Sequence, residues 1–215
     1  MKILHVSPAY FPVVGGSEVH IQELSEGLAR RGHEVTVLTT QAPIPGGSAP
    51  SETLNGVRIL RFAESTAFSR LLELPGAFRS LRAALGPEYL RVLARGPLSL
   101  RLFLELLRCE ADVVGVIGWW ATALPFQACA AKRVRRFRLV GIPLFHTEEA
   151  WSQESLQSRL LARCDALITN TAHEKQFIDD LTEGRVPVHV AGVGIHPSDF
   201  AERDGARIRT RYGLG

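Results

Sequence analysis

Residues 2–40 read KILHVSPAYFPVVGGSEVHIQELSEGLARRGHEVTVLTT, and this stretch decides the fold. Lys2 to Ser7 is a short apolar run that fits a buried strand. Ser17 to Arg31 places Ile21, Leu24 and Leu28 on one face of a helix. Gly32 follows where a left-handed cap is wanted, and two arginines precede it in the last turn. Glu34 to Thr40 reads as a second strand, with Val35, Val37 and Leu38 apolar. Strand, helix and strand in forty residues form the unit from which parallel sheets are assembled.

The alternation continues down the chain. Gln41 to Asn55 is rich in Pro, Gly and Ser and reads as a loop, and Gly56 to Ala63 as a third strand. Leu71 to Leu85, Pro87 to Ala94 and Pro97 to Arg108 carry apolar residues at helical spacing, the last opened by a proline. Strands are expected at Asp112 to Ile117, Arg138 to Phe145, Ala166 to Thr169 and Val186 to Ala191. Helices are expected at Ala121 to Arg136, Gln153 to Arg163, Ala172 to Leu181 and Arg203 to Tyr212. The expected fold is α/β: one domain, a Rossmann-like doubly wound, mostly parallel sheet of about seven strands with helices on both faces. Ligands of such sheets bind at the carboxyl ends of the strands.

Composition agrees with a packed domain. The chain has 215 residues, 46% hydrophobic and 22% charged, with a formal net charge of +3. Its three cysteines, Cys109, Cys129 and Cys164, form no CxxC pair, which argues against a disulfide scaffold or a cysteine-built zinc site and suits a cytoplasmic compartment. The nineteen residues from Val113 to Ala131 carry no charge and precede a basic run. Gly115, Gly118, Pro125 and Gln127 interrupt them, so a strand followed by a helix is the better reading. Arginines cluster between Arg70 and Arg108, and Lys132 to Arg138 adds five cations within seven residues. No aromatic interleaving or nucleic-acid motif accompanies them, so no nucleic-acid partner is expected. Anionic lipid heads, a phosphate-bearing substrate or a plain solvated surface would each explain the charge.

Four polar clusters fall at expected strand ends. Gly15-Gly16 stands directly before a helix, where a missing Cβ lets a ligand approach and free N–H groups favour a phosphate. A simple turn would need the same pair. His146-Thr147 follows a strand, so His146 could bond a substrate hydroxyl or move a proton, or be satisfied by backbone. Asn170-Thr171 supplies a third cluster at the rim, Gly192 to Pro197 reads as a plain turn before it reads as a fourth, and Trp119-Trp120 could stack on a sugar or pack under a loop. GxGxxG, HExxH and GxSxG are all missing, which removes the dinucleotide fingerprint, zinc proteases and the usual serine hydrolases.

In order and spacing, these pieces resemble the N-terminal half of family 4 ("group 1") retaining glycosyltransferases of GT-B fold. The pieces are Ile3-Leu4-His5-Val6-Ser7, Phe11-Pro12, Gly15-Gly16-Ser17-Glu18, Arg31 to Val37, Phe145-His146-Thr147, Asp165 to Asn170, and Gly192 to Ile195 with Phe200. The resemblance implies an acceptor-side domain (residues 1–215) facing a second domain that binds a UDP- or GDP-type sugar and is absent from this sequence. It implies that Gly16, the second glycine of the pair, lies against the donor diphosphate, with Gly15 next to it at the substrate site, and that His146 contacts the transferring sugar. Tyr10 would hold the acceptor, with Thr147 and Asn170 at the same rim. It implies no metal and no cofactor, a sugar or lipid-linked acceptor, peripheral contact with an anionic membrane on its inner face, and no transfer by this half alone. A GT-B-like sugar-nucleotide epimerase and a non-catalytic module docking anionic membranes remain the alternatives.

Overall fold

Successive strand residues point to opposite sides, so a strand apolar at consecutive positions must be covered on both faces. The computed structural model of the protein describes residues 1–41, 48–64, 87–118, 120, 122–145, 155–194 and 205–214. Among them the elements run β1 (Lys2–Ser7), α1 (Gly16–Arg30), β2 (Glu34–Thr40), β3 (Ser51–Leu54), β4 (Val57–Phe62), α2 (Pro87–Ala94), α3 (Leu100–Arg108) and β5 (Val113–Ile117). Then follow α4 (Ala123–Lys132), β6 (Arg138–Ile142), α5 (Ser155–Leu161), β7 (Ala166–Thr169), α6 (Ala172–Thr182), β8 (Val188–Val190) and α7 (Gly205–Tyr212).

One eight-stranded sheet has the order β3-β4-β2-β1-β5-β6-β7-β8. Every neighbouring pair is parallel except β3 with β4. The α/β expectation holds, with one strand more than the count of about seven. The additional strand is β3, inside the segment read as loop. It turns back on β4 through Asn55-Gly56, whose φ angles are 48° and 82°. Two positive φ values at an Asn-Gly pair give the tight turn that suits the twist of a hairpin.

The two faces have separate cores. Ile3, Val35, Val37, Val57, Ile59, Ile117 and Ile142 pack with Ile21, Leu24 and Leu28 of α1. Leu4, Val6, Leu38, Val114, Val116, Leu139 and Leu167 pack on the opposite face with α3, α4, α5 and α6. Helix α1 ends as its sequence requires: Gly32 has φ 82°, its N–H donates to Ala29 O, and His33 N–H donates to Leu28 O. That pair of bonds is the Schellman cap.

The uncharged stretch from Val113 is β5 followed by the ten-residue α4, and no helix among the described residues is long and apolar enough to cross a membrane. Helix α3 starts at Leu100 rather than Pro97, because Ser99 Oγ accepts from Leu102 N–H and caps it. The helix expected at Leu71 to Leu85, with Arg70, Arg79 and Arg82, lies outside the described residues, as does Trp119.

Candidate functional site

The strand order reverses between β1 and β5: the chain leaves β1 toward β2 on one side, while β5 to β8 spread to the other. A crevice opens beyond the carboxyl ends of strands at such a switch point. The loop from Pro8 to Gly15 and the start of α1 therefore occupy the place where this topology binds ligands. Gly118, just after β5, faces the loop: a Cβ there would come 3.6 Å from Pro8 Cδ.

At the start of α1, Gly15 is the N-cap and offers no side-chain cap. Val19 N–H makes the first turn's bond, to Gly15 O, at 3.0 Å. Among the described residues nothing accepts from the N–H groups of Gly16, Ser17 and Glu18. Those donors and the positive end of the helix dipole make an anion-favouring surface. Gly16 has no described atom within 4 Å of where its Cβ would be. Neither packing against the described residues nor backbone conformation calls for glycine there. At Gly15 a Cβ would meet the Glu18 carboxylate, which folds back over the turn and accepts from Ser17 Oγ at 2.9 Å.

Tyr10, expected at the acceptor, is only 2% exposed and packs into the α1-side core with Ile3, Ile21 and Val37. Burial, with the Glu26 carboxylate second, pushes its hydroxyl up to about 12. In this structure Tyr10 anchors the loop. Asn170 follows β7 half-buried, with Oδ1 shielded from solvent and unpaired among the described residues. His146 and Thr147 lie outside the described residues. A groove of about 430 Å³ runs along the flank of α1, from His20, Leu24 and Leu28 to Gly192–Gly194. Burial lowers the pKa of His20, and Glu174 opposes that shift.

Two residues that pattern reading passed over organise the rim. Glu174, buried in the first turn of α6, accepts from Phe145 N–H at 2.8 Å and from Asn170 N–H at 3.0 Å, tying together the chain beyond β6 and β7. Thr171 Oγ1 caps Glu174 N–H at 3.0 Å. The Thr171-x-x-Glu174 spacing is a capping-box signature legible in the sequence, although here the carboxylate bridges strands instead of reaching the cap residue's own N–H. The second is Arg61, a buried guanidinium near the carboxyl end of β4. The basic run from Lys132 to Arg138 sits at the opposite, amino-terminal edge. There Lys132 and Arg138 pair with Asp165, and Arg135 donates to Cys109 O. Among the described residues no three His, Cys, Asp or Glu gather as metal ligands.

Comparison with known proteins agrees with this arrangement. The model of the family described as Glycosyltransferase Family 4 matches residues 14–199. A D-inositol 3-phosphate glycosyltransferase of Stackebrandtia nassauensis is 25% identical across 100% of the chain, which covers 48% of that protein. An uncharacterized glycosyltransferase of Methanocaldococcus jannaschii is 44% identical over 62 residues, 28% of this chain and 15% of that protein. Among solved structures, the α,α-trehalose-phosphate synthase (UDP-forming) of Burkholderia xenovorans in complex with glucose-6-phosphate superposes with a TM-score of 0.56 at 15% identity, over 98% of this chain and 55% of that one. A sucrose-phosphate synthase structure from Thermosynechococcus elongatus gives 0.52 at 12% identity and 99% of both chains. These likenesses establish the fold as one Rossmann-like half of the GT-B type. The chain spans about half the length of the relative it matches end to end.

Proposed function

Because the chain belongs to glycosyltransferase family 4, we propose that it is the acceptor-side half of a retaining enzyme moving a sugar from a nucleoside diphosphate sugar to an acceptor hydroxyl. One observation supports this above the rest: the first turn of α1 presents N–H groups that are unpaired among the described residues, at the switch point and beside a glycine that no described residue requires. In transfer, the bond from the anomeric carbon to the phosphate oxygen breaks while a bond to the acceptor oxygen forms on the same face. The acceptor's proton passes to the departing diphosphate. Charge grows on that diphosphate, and fixed backbone donors aimed at it lower the barrier without reorganising. By the family's pattern His146 contacts the sugar, with Thr147 and Asn170 as further substrate-binding residues. The nucleotide, of UDP or GDP type, is held by a second half facing this one, and the acceptor is a sugar or a lipid-linked sugar.

Gly16→Ala tests the reading in an enzyme carrying both halves. Alanine meets no described atom and favours helix by up to about 1 kcal/mol, so the melting temperature should hold or rise. Its methyl group intrudes on the diphosphate, so the KM for donor should rise about tenfold or more, a loss of at least about 1.4 kcal/mol of binding. An unchanged donor KM would overturn the assignment. Product analysis separates transfer, which yields glycosylated acceptor and free nucleotide, from epimerisation, which returns an altered nucleotide sugar.

Peripheral membrane contact has a specific support of its own. On α3, Leu100 and Leu104 are exposed beside exposed Arg101 and Arg108. An apolar strip flanked by arginines suits an anionic interface. Sedimentation with vesicles of phosphatidylcholine, with and without phosphatidylglycerol, should show pelleting that needs the anionic lipid and is lost in Leu100→Glu. Equal pelleting in both vesicle types removes the idea.

A further inference from the structure

Arg61 is held by three residues from two segments of chain, the β1–α1 loop and the stretch that leads into β3. Its side chain is 2% exposed; Nη2 pairs with Glu52 on β3 and donates to Phe11 O at 2.6 Å, and Nη1 donates to Ala49 O at 2.9 Å. It lies on the α1 face of β4, in line with Val57 and Ile59, beneath the loop that joins β1 to α1. Four successive carbonyls of that loop are occupied. Thr40 Oγ1 donates to Pro8 O, Ser7 Oγ to Ala9 O, Val13 N–H to Tyr10 O, and Arg61 to Phe11 O. Tyr10, between them, is sealed into the core.

Only the guanidinium of this pair is buried, the Glu52 side chain being 37% exposed, so the ion pair is a poor stability device. What an arginine supplies and an apolar side chain cannot is a rigid fork that fixes several acceptors relative to one another. We infer that Arg61 is a positioning residue for anion binding: by locking the Pro8–Gly15 loop to the β3–β4 hairpin, it sets the unpaired amides of Gly16, Ser17 and Glu18 before any ligand arrives. It touches no ligand itself. Its effect comes through preorganisation, which lowers the ordering cost of binding. The inference rests on the reading of the α1 N-terminus as a diphosphate site.

The test uses the 215-residue chain and inorganic pyrophosphate, followed by the amide resonances of residues 16–18, together with hydrogen exchange. In Arg61→Gln, exchange of the Val13 amide, the loop N–H bonded to Tyr10 O, should quicken about tenfold or more while the amides of α4 and β6 keep their rates. The pyrophosphate Kd should rise about tenfold. Arg61→Lys, which keeps the Glu52 pair but cannot reach three acceptors at once, should fall between and covers the case in which the glutamine variant does not fold. Gly16→Ala serves as the control for the site. Pyrophosphate binding that weakens in Gly16→Ala but not in either Arg61 variant overturns the positioning role and leaves the site standing. Binding unaffected by Gly16→Ala overturns the site reading, and the inference with it. A uniform quickening of exchange across the whole chain also overturns the inference, because it is the signature of a merely structural arginine.

Discussion

His5 lies in the middle of β1 with its ring buried on the α1 face, opposite Gly115 of β5. A Cβ on residue 115 would come 2.7 Å from His5 Cδ2, so that glycine makes room for the imidazole. Ser25 Oγ gives its own hydrogen to Ile21 O at 2.6 Å, so at 2.8 Å the His5 Nδ1–H must be the donor to Ser25. Burial lowers the His5 pKa from 6.5 to about 4. Between these values the unfolded chain binds a proton that the native one does not, so stability rises with pH across that window. It should be undiminished above pH 6.5 and fall through the window by about 3 kcal/mol on approaching pH 4. Urea unfolding at pH 7 and pH 4.5 measures it, and in His5→Gln this contribution to the slope should vanish. Periodicity places Ser25 beside Ile21, Leu24 and Leu28 on the apolar face of α1, but its pairing with His5 depends on how β1 packs against that face.

At the scale of elements, the junctions at the ends of β6 and β7 depend on α6. Removing the Thr171 hydroxyl leaves Glu174 N–H without its cap, and Thr171→Ala should cost about 1 kcal/mol. Glu174→Gln should cost more, about 1–3 kcal/mol, because an amide oxygen can accept from Phe145 N–H or Asn170 N–H while its NH₂ opposes the other. Chemical denaturation of the two variants orders these effects, and equal losses would remove the bridging role of the carboxylate. Two element boundaries turn on a local signal that competes with composition. Asn55-Gly56 is a hairpin pair, but the surrounding Pro, Gly and Ser give the whole stretch the composition of a loop, which hides β3. Pro97 has the residue type of a helix start, but the backbone turns helical only after Ser99 supplies a cap.

At the scale of the molecule, the sheet brings the β1–α1 loop to the switch point and leaves the basic run of residues 132–138 at the far edge, away from it. The electrostatics of transfer asks for cations on the leaving diphosphate in addition to backbone amides. In the proposed two-domain arrangement those cations belong to the facing half. The 215-residue chain incubated with UDP- and GDP-sugars and candidate acceptors should therefore yield no transfer above background, read as released nucleotide. Sustained turnover would place the whole reaction within this half. What the sequence determined by itself is the alternation of strand and helix, the cap at Gly32 and the Gly-Gly pair before α1. Each depends on side-chain periodicity or on backbone freedom, both local properties of the chain. Tertiary structure alone decided that Tyr10 is an anchor, that Arg61 and Glu174 tie distant segments together, and that the reversal of strand order falls beside β1. Those outcomes depend on which strands become neighbours, and contacts between residues far apart in sequence leave no periodic trace in it.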